Sequence, residues 1–180
     1  EMRWRTRAAS WFARAAWGNE RKGMLTITLG MQASGSTWLY NVVRLLSGAA
    51  GRTFAGAYAD DGLTLLDTLP LDACDVVIKS HAMDQRLVKL ARLSQAKLLV
   101  SVRDPRDSIV SQRERFDLGV EQCAIDLSRS LATITSLPDD IPMLRFVYED
   151  GFTTWPETIE RIARFLGIAA SDRTVAAIFE

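Results

Sequence analysis

Apolar residues follow two alternating rhythms along this chain. Short runs rich in apolar and β-branched residues stand at 24–29 (MLTITL), 75–79 (DVVIK), 97–102 (KLLVSV) and 143–148 (MLRFVY). Runs of that length, bounded by polar or turn residues, predict strands, and the third is apolar enough to be buried on both faces. Between them the spacing becomes helical. Leu39, Val42, Val43 and Leu46 fall at i, i+3, i+4 and i+7, and Gly48 and Gly51 stop that helix. Leu87, Leu90, Ala91 and Leu93 give a second helix its apolar face, and Ala124, Leu127, Leu131 and Ile134 give one to a helix over 120–136. Asp104 followed by Pro105 predicts a capped helix start between these two, because proline's missing N–H costs least in the first turn. Thr154 and Glu157 form a capping-box pattern ahead of a helix whose Ile159, Ile162, Ala163 and Leu166 face the core, ended by Gly167. Ser171 can cap one last helix. The stretch 52–73, with Gly56, Gly62 and Pro70, is expected to hold one short helix among loops.

Strands alternating with helices predict an α/β fold, a parallel β-sheet with helices on both faces in three layers. In such sheets ligands bind beyond the carboxyl ends of the strands. No repeat, low-complexity tract or linker divides residues 23–180, which therefore read as one domain. Residues 1–22 stand apart, carrying Arg3, Arg5, Arg7, Arg14 and Arg21 against Glu1 and Glu20. As a helix they would place Trp4, Ala8, Trp11 and Ala15 on one face. Such a basic helix suits either the surface of an anionic membrane or a docking site on the domain or a partner. Arg14 interrupts the only apolar stretch, so the segment does not read as a signal peptide.

Composition narrows the partners. A hydrophobic fraction of 48% over 180 residues belongs to a folded domain and not to a disordered chain. Lys plus Arg and Asp plus Glu balance at 22 each, so no global field favours nucleic acid and any anion site must be local. Cys74 and Cys123 have neither metal-ligand spacing nor a disulfide framework, and read as small buried hydrophobes in a reducing compartment. A cytoplasmic location is expected, with membrane association left open through residues 1–22. No run of 18 apolar residues is present to span a bilayer.

The chemistry concentrates after the first strand. Gly30, Met31, Gln32, Ala33, Ser34, Gly35, Ser36 and Thr37 separate that strand from the following helix. Two glycines five apart let the backbone wrap an anion, and the helix N-terminus adds free N–H groups and a positive dipole end. The frame is that of the nucleotide P-loop, so the fold reads as P-loop-like, but Ser36 stands where ATP- and GTP-binding loops carry lysine. Arg103 ends the third strand where a magnesium-holding aspartate is absent, so an ATP-dependent kinase is disfavoured and no metal is expected.

Three further segments join the loop, and together they resemble the PAPS-dependent sulfotransferases, which use 3′-phosphoadenosine 5′-phosphosulfate as donor. The loop Gln32-Ala33-Ser34-Gly35-Ser36-Thr37-Trp38 is similar to the family's PKSGTTW. Lys79-Ser80-His81 is similar to its KTH. The run from Arg103 to Ser111 keeps the spacing of its 3′-phosphate motif, R-N-P-K-D-x-x-x-S. Tyr148-Glu149-Asp150, followed by a helix ending Phe165-Leu166-Gly167, resembles its YED segment and FLG helix.

The resemblance implies donor contacts from Ser34, Gly35, Ser36, Thr37, Trp38, Arg103, Ser111 and Tyr148. Arg103 and Ser111 would hold the 3′-phosphate, for which a guanidinium fork and a hydroxyl are suited donors. An Arg103 pairing with Asp104 or Asp107 is the competing reading. Trp38 would stack on adenine or, alternatively, serve the core, and Tyr148 has the same two readings. His81, the single histidine, would be the general base, and Lys79 would neutralise charge on the leaving oxygen.

Two departures accompany the likeness. Ala33 stands at the family's loop lysine, where Gln32, Lys79 or Arg106 are the candidates to substitute. The sequence also ends at Glu180, ahead of any glycine- and lysine-rich motif closing over the nucleotide, which leaves a truncated domain or a different closure as the expectation. The expected activity is transfer of a sulfuryl group to a hydroxyl or amine of a small-molecule, carbohydrate or lipid acceptor, with PAP as product. A non-catalytic nucleotide- or partner-binding domain on the same fold is the alternative. Acceptor contacts are expected from 52–73 and from the loops after Ser80 and Phe116, and oligomeric state is not legible.

Overall fold

The computed structural model describes residues 23–68 and 75–180. The N-terminal extension with its tryptophans, Pro70 and Cys74 lie outside the described residues. Five strands form one parallel sheet: β1 (Leu25–Gly30), β2 (Phe54–Tyr58), β3 (Asp75–Ser80), β4 (Lys97–Val102) and β5 (Met143–Val147), in the order β2-β3-β1-β4-β5. The helices are α1 (Ser36–Ala49), α2 (Gly62–Thr68), α3 (Gln85–Leu93), α4 (Pro105–Phe116), α5 (Val120–Thr135), α6 (Pro156–Leu166) and α7 (Asp172–Phe179). The α/β fold with helices on both faces agrees with the sequence pattern.

Strand alternation creates two cores. Leu25, Ile27 and Leu29 of β1, Val76 and Ile78 of β3, and Leu98 and Val100 of β4 point to one face, where Leu65 and Leu66 of α2, Leu87 and Ala91 of α3, and Leu127 and Ile134 of α5 cover them. Val77, Leu99 and Phe146 point to the other face, under α1, α6 and α7. Ile159, Ile162, Ala163 and Leu166 are the buried stripe of α6, as their spacing predicted. Full burial of each large aliphatic contributes roughly 1.5–3 kcal/mol, which is why this stripe and not local propensity fixes the helix.

Some local expectations change. The stretch 52–73 contains a strand, β2, at the sheet edge, as well as helix α2. Gly56 within it admits the Tyr40 side chain, whose hydroxyl would lie 2.3 Å from a Cβ at that position. Leu93 is 72% exposed and does not serve the apolar face of α3. In α5 the buried stripe runs through Cys123, Leu127, Ser130 and Ile134, so Ala124 faces solvent. No capping box opens α6: Trp155 is the N-cap without a side-chain bond, and the Thr154 hydroxyl turns back to the Gly151 carbonyl at 2.7 Å. Asp104 caps α4 and Ser171 caps α7 as expected, accepting from the N–H of Arg106 and Thr174.

The topology also positions the site. The chain leaves β1, passes to the edge at β2, returns to β3 and then crosses to β4 on the opposite side of β1. The connections therefore diverge at the carboxyl end of β1, where α/β sheets open a crevice for ligands.

Candidate active site

Register places three segments around that crevice. Leu29 pairs with Ser80 and Gly30 with Ser101, so His81 and Arg103 emerge just beyond, on either side of the loop that leaves β1. His81 Nδ1 lies 2.6 Å from the Gly30 carbonyl, and Arg103 Nη1 donates to the Ala33 carbonyl at 3.0 Å.

The loop is held from beneath by hydroxyls. Ser34 Oγ is fully buried and sits 2.6 Å from the Met31 carbonyl and 2.8 Å from Ser101 Oγ. The Ser108 hydroxyl donates to the Gln32 carbonyl, and Ser130 Oγ to Gln32 Oε1 at 3.0 Å. Gly30 is required here, since a Cβ would meet Ser101 Oγ at 2.3 Å and Ser36 Cβ at 2.7 Å. Gly35 serves as N-cap of α1 at φ 84°, with no side-chain cap and no acidic residue in the first turn. The first-turn N–H groups, from Ser36 through Trp38, thus lack intrahelical acceptors and leave free donors at the positive end of the helix, a chemistry suited to an anion.

The predicted residues divide by role in the fold. Ser34 and Ser36 are buried, so the Ser34 hydroxyl braces the loop and Ser36 packs under Gly30, while Thr37 is exposed. Trp38 is half-buried and meets Phe152 edge-on at 5.7 Å between centroids. Tyr148 lies in a 3-10 turn just past β5, stacked beneath the Arg103 guanidinium at 4.3 Å. Arg103 pairs with neither Asp104 nor Asp107, and its Nε is buried without a partner. Asp104 instead holds Arg106 at 2.7 Å, and Arg106 is 89% exposed, so it is not turned into the loop as a substitute cation. Ser111 is buried two turns into α4.

His81 and Lys79 share the end of β3. Burial pulls the pKa of each below its ordinary value; for Lys79 the Asp60 carboxylate opposes this, and for His81 the Gly30 carbonyl does. A carbonyl can only accept, so neutral His81 carries its proton on Nδ1 and leaves the Nε2 lone pair bare. This is the protonation state of a general base.

Two contributors were not legible in the sequence. Phe152 fills the space under Gly35 and joins Trp38, Phe146 and Tyr148 in an aromatic cluster. Asp60, just past β2, accepts from the backbone N–H of His81 at 2.8 Å and of Ala82 at 3.1 Å, and from the Tyr58 hydroxyl at 2.7 Å. The only signal for Asp60 was its place in a stretch already expected near the site. Glu149 adds a tie, accepting from the Asp104 N–H at 2.8 Å and so fixing the YED turn to the start of α4.

No family model and no curated protein matches the chain by sequence. Solved structures match by fold. The mouse sulfotransferase SULT7A1 complexed with PAP gives a TM-score of 0.61 at 20% identity over 94% of this chain. Retinol dehydratase in complex with androsterone and the inactive cofactor PAP gives 0.58 at 19% identity over 95% of this chain. A sugar kinase from a Janibacter species gives 0.51 at 16% identity over 82% of this chain and 96% of its own. The chain spans about two thirds of the length of the two PAP-bound chains, 66% and 68%. The chain thus shares its fold with these three structures. No helix among the described residues is long and apolar enough to cross a membrane.

Proposed function

We propose that the chain is a sulfotransferase domain that takes PAPS as donor and moves its sulfuryl group to a hydroxyl or amine of a small-molecule, carbohydrate or lipid acceptor. The observation carrying this reading is the convergence of the Gly30–Thr37 loop, Lys79, His81 and Arg103 around the carboxyl end of β1, on a fold whose solved examples include two bound to PAP.

The donor supplies an electrophilic sulfur linked through oxygen to the nucleotide 5′-phosphate. His81 accepts the acceptor's proton at Nε2 as the acceptor oxygen or nitrogen bonds to sulfur and the bridging sulfur–oxygen bond breaks. Lys79 and the first-turn N–H groups of α1 stabilise the negative charge left on the phosphate oxygen. Arg103 and Ser111 receive the 3′-phosphate, the buried unpartnered Nε and the fork geometry favouring a bidentate anion. Trp38 and Tyr148 flank the loop as nucleotide contacts, and each also packs against Phe152.

Ala33 supports a second reading, a nucleotide-binding domain without turnover, because no cation replaces the loop lysine at that position. A kinase is the weaker reading: Ser36, at the position of the ATP-binding lysine, is 3% exposed beneath the loop.

Calorimetric titration with PAP, ADP and AMP tests the donor site. Micromolar binding of PAP with much weaker binding of the others is expected, and equal binding of all three refutes the 3′-phosphate assignment. His81→Ala should then retain PAP binding and lose transfer; retained turnover would mean another base.

A further inference from the structure

We propose that Asp60 is a positioning residue for His81, clamping the turn after β3 so that the imidazole stays on the Gly30 carbonyl with Nε2 bare. The clamp is visible in its bonds. One carboxylate oxygen, Oδ1, gathers the N–H of His81 at 2.8 Å and the N–H of Ala82 at 3.1 Å, with the Ser80 hydroxyl at 3.0 Å, its one proton shared with the Ala82 carbonyl. Oδ2 is held by the Tyr58 hydroxyl at 2.7 Å. The Asp60 carbonyl also accepts from the Asp84 N–H at 3.2 Å, which ties the same turn to the start of α3.

Three consecutive residues, Ser80 to Ala82, are therefore fixed to one side chain borne by the neighbouring strand connection. Charge-assisted bonds to backbone N–H groups are shorter and stronger than neutral ones, so the carboxylate sets the direction in which the His81 side chain leaves the backbone. Tyr58 completes the arrangement. Its ring centroid lies 6.0 Å from that of His81, so the residue that holds Asp60 also flanks the imidazole. Burial would raise the Asp60 pKa, but the Tyr58 hydroxyl and the His81, Ala82 and Ser80 donors outweigh it and keep the group ionised.

The other titratable or charged groups acting on His81 are Lys79 from β3 and Asp126 from α5, with Arg129 of α5 acting on Tyr58. Among these, Asp60 alone bonds to the backbone of His81. Orientation of a base through its supporting residues governs whether its lone pair meets the proton it must take, and a misplacement of about 1 Å can cost about 10²-fold in rate.

The consequence for catalysis rests on the sulfotransferase reading, but the geometry can be measured without it. His81 is the single histidine of the chain, so its imidazole ¹⁵N resonances are unambiguous. In the wild type the neutral ring should show protonated Nδ1 and bare Nε2. In Asp60→Ala the ring should shift towards the Nε2–H form that free imidazole side chains prefer, and its titration midpoint should move. Turnover should fall by about 10²-fold while PAP affinity changes by less than about threefold. A wild-type tautomer and midpoint in Asp60→Ala overturn the proposal.

If that variant does not fold, Asp60→Asn preserves size and one acceptor while removing the charge. The His81 midpoint should then fall, because a nearby anion is lost. An unchanged midpoint and tautomer in Asp60→Asn overturn the proposal equally. Failure of the sulfotransferase reading would appear separately, as absent PAP binding in the wild type with the His81 tautomer as stated.

Discussion

Two glycines with the same backbone handedness separate conformational strain from packing. Gly35, at φ 84°, opens α1 beneath the loop, and Gly51, at φ 67°, follows the end of α1. An alanine at either must adopt a left-handed conformation, which costs about 1–2 kcal/mol. At Gly51 a Cβ meets nothing within 4 Å, so Gly51→Ala should lose only that amount. At Gly35 the Cβ would lie 2.8 Å from Cζ of Phe152. Phe152 is 5% exposed and wedged between Trp38 at 5.7 Å and Phe146 at 5.0 Å, so it has little room to retreat. Overpacking of this kind adds about 1–3 kcal/mol, giving about 2–5 kcal/mol in total for Gly35→Ala. Urea denaturation of both variants reads the difference directly, with the wild-type slope as reference. Relief of the clash by tilting the first turn of α1 would misalign its N–H groups, so Gly35→Ala should also weaken PAP binding by about tenfold or more, a loss of about 1.4 kcal/mol. Gly51→Ala should bind PAP as the wild type does. Equal destabilisation by the two substitutions would refute the rigid Phe152 wall, and wild-type PAP affinity in Gly35→Ala would refute the role of this turn.

Other outcomes follow from the same site. Arg103→Ala should abolish the preference for PAP over AMP and loosen the loop through loss of the bond to the Ala33 carbonyl, whereas retained discrimination in calorimetry removes Arg103 from the 3′-phosphate. Ala33→Lys adds no new backbone strain, because Ala33 already bears a Cβ at φ 57°, and should raise turnover by about 10²–10³-fold if the missing cation limits the rate; an unchanged rate means that Lys79 and the loop already supply the charge. His81 has a folded pKa depressed by burial, so it contributes stability above its unfolded value of about 6.5 that is lost as pH falls through the lower folded value. His81→Gln should therefore flatten the decline of the urea midpoint below about pH 6.5, and an identical pH profile in the variant would show that His81 is not the titrating group.

The sequence by itself determined the layered α/β fold, because the central strands are short runs of apolar, β-branched and small residues and α1 and α6 carry complete apolar stripes at helical spacing. It also placed the loop, His81 and Arg103 at strand ends beside a glycine-bearing turn, while the roles expected of them came from the resemblance to the sulfotransferases. Strand β2 was not legible. FAGAY is short and half-exposed, holds a glycine, and owes its extended form to pairing with residues 75–79 across the sheet.

Asp60 was hidden for the same reason, because its role exists only once β2 lies beside β3 and brings its carboxylate to the N–H groups of His81 and Ala82. Likewise the turn from Ser34's hydroxyl to Ser101, the Trp38 contact with Phe152 and the diversion of Arg106 to Asp104 depend on side-chain direction. Spacing along a chain records which face a residue occupies. Only the packed sheet decides which partner that face meets, because each partner comes from a strand or turn distant in sequence.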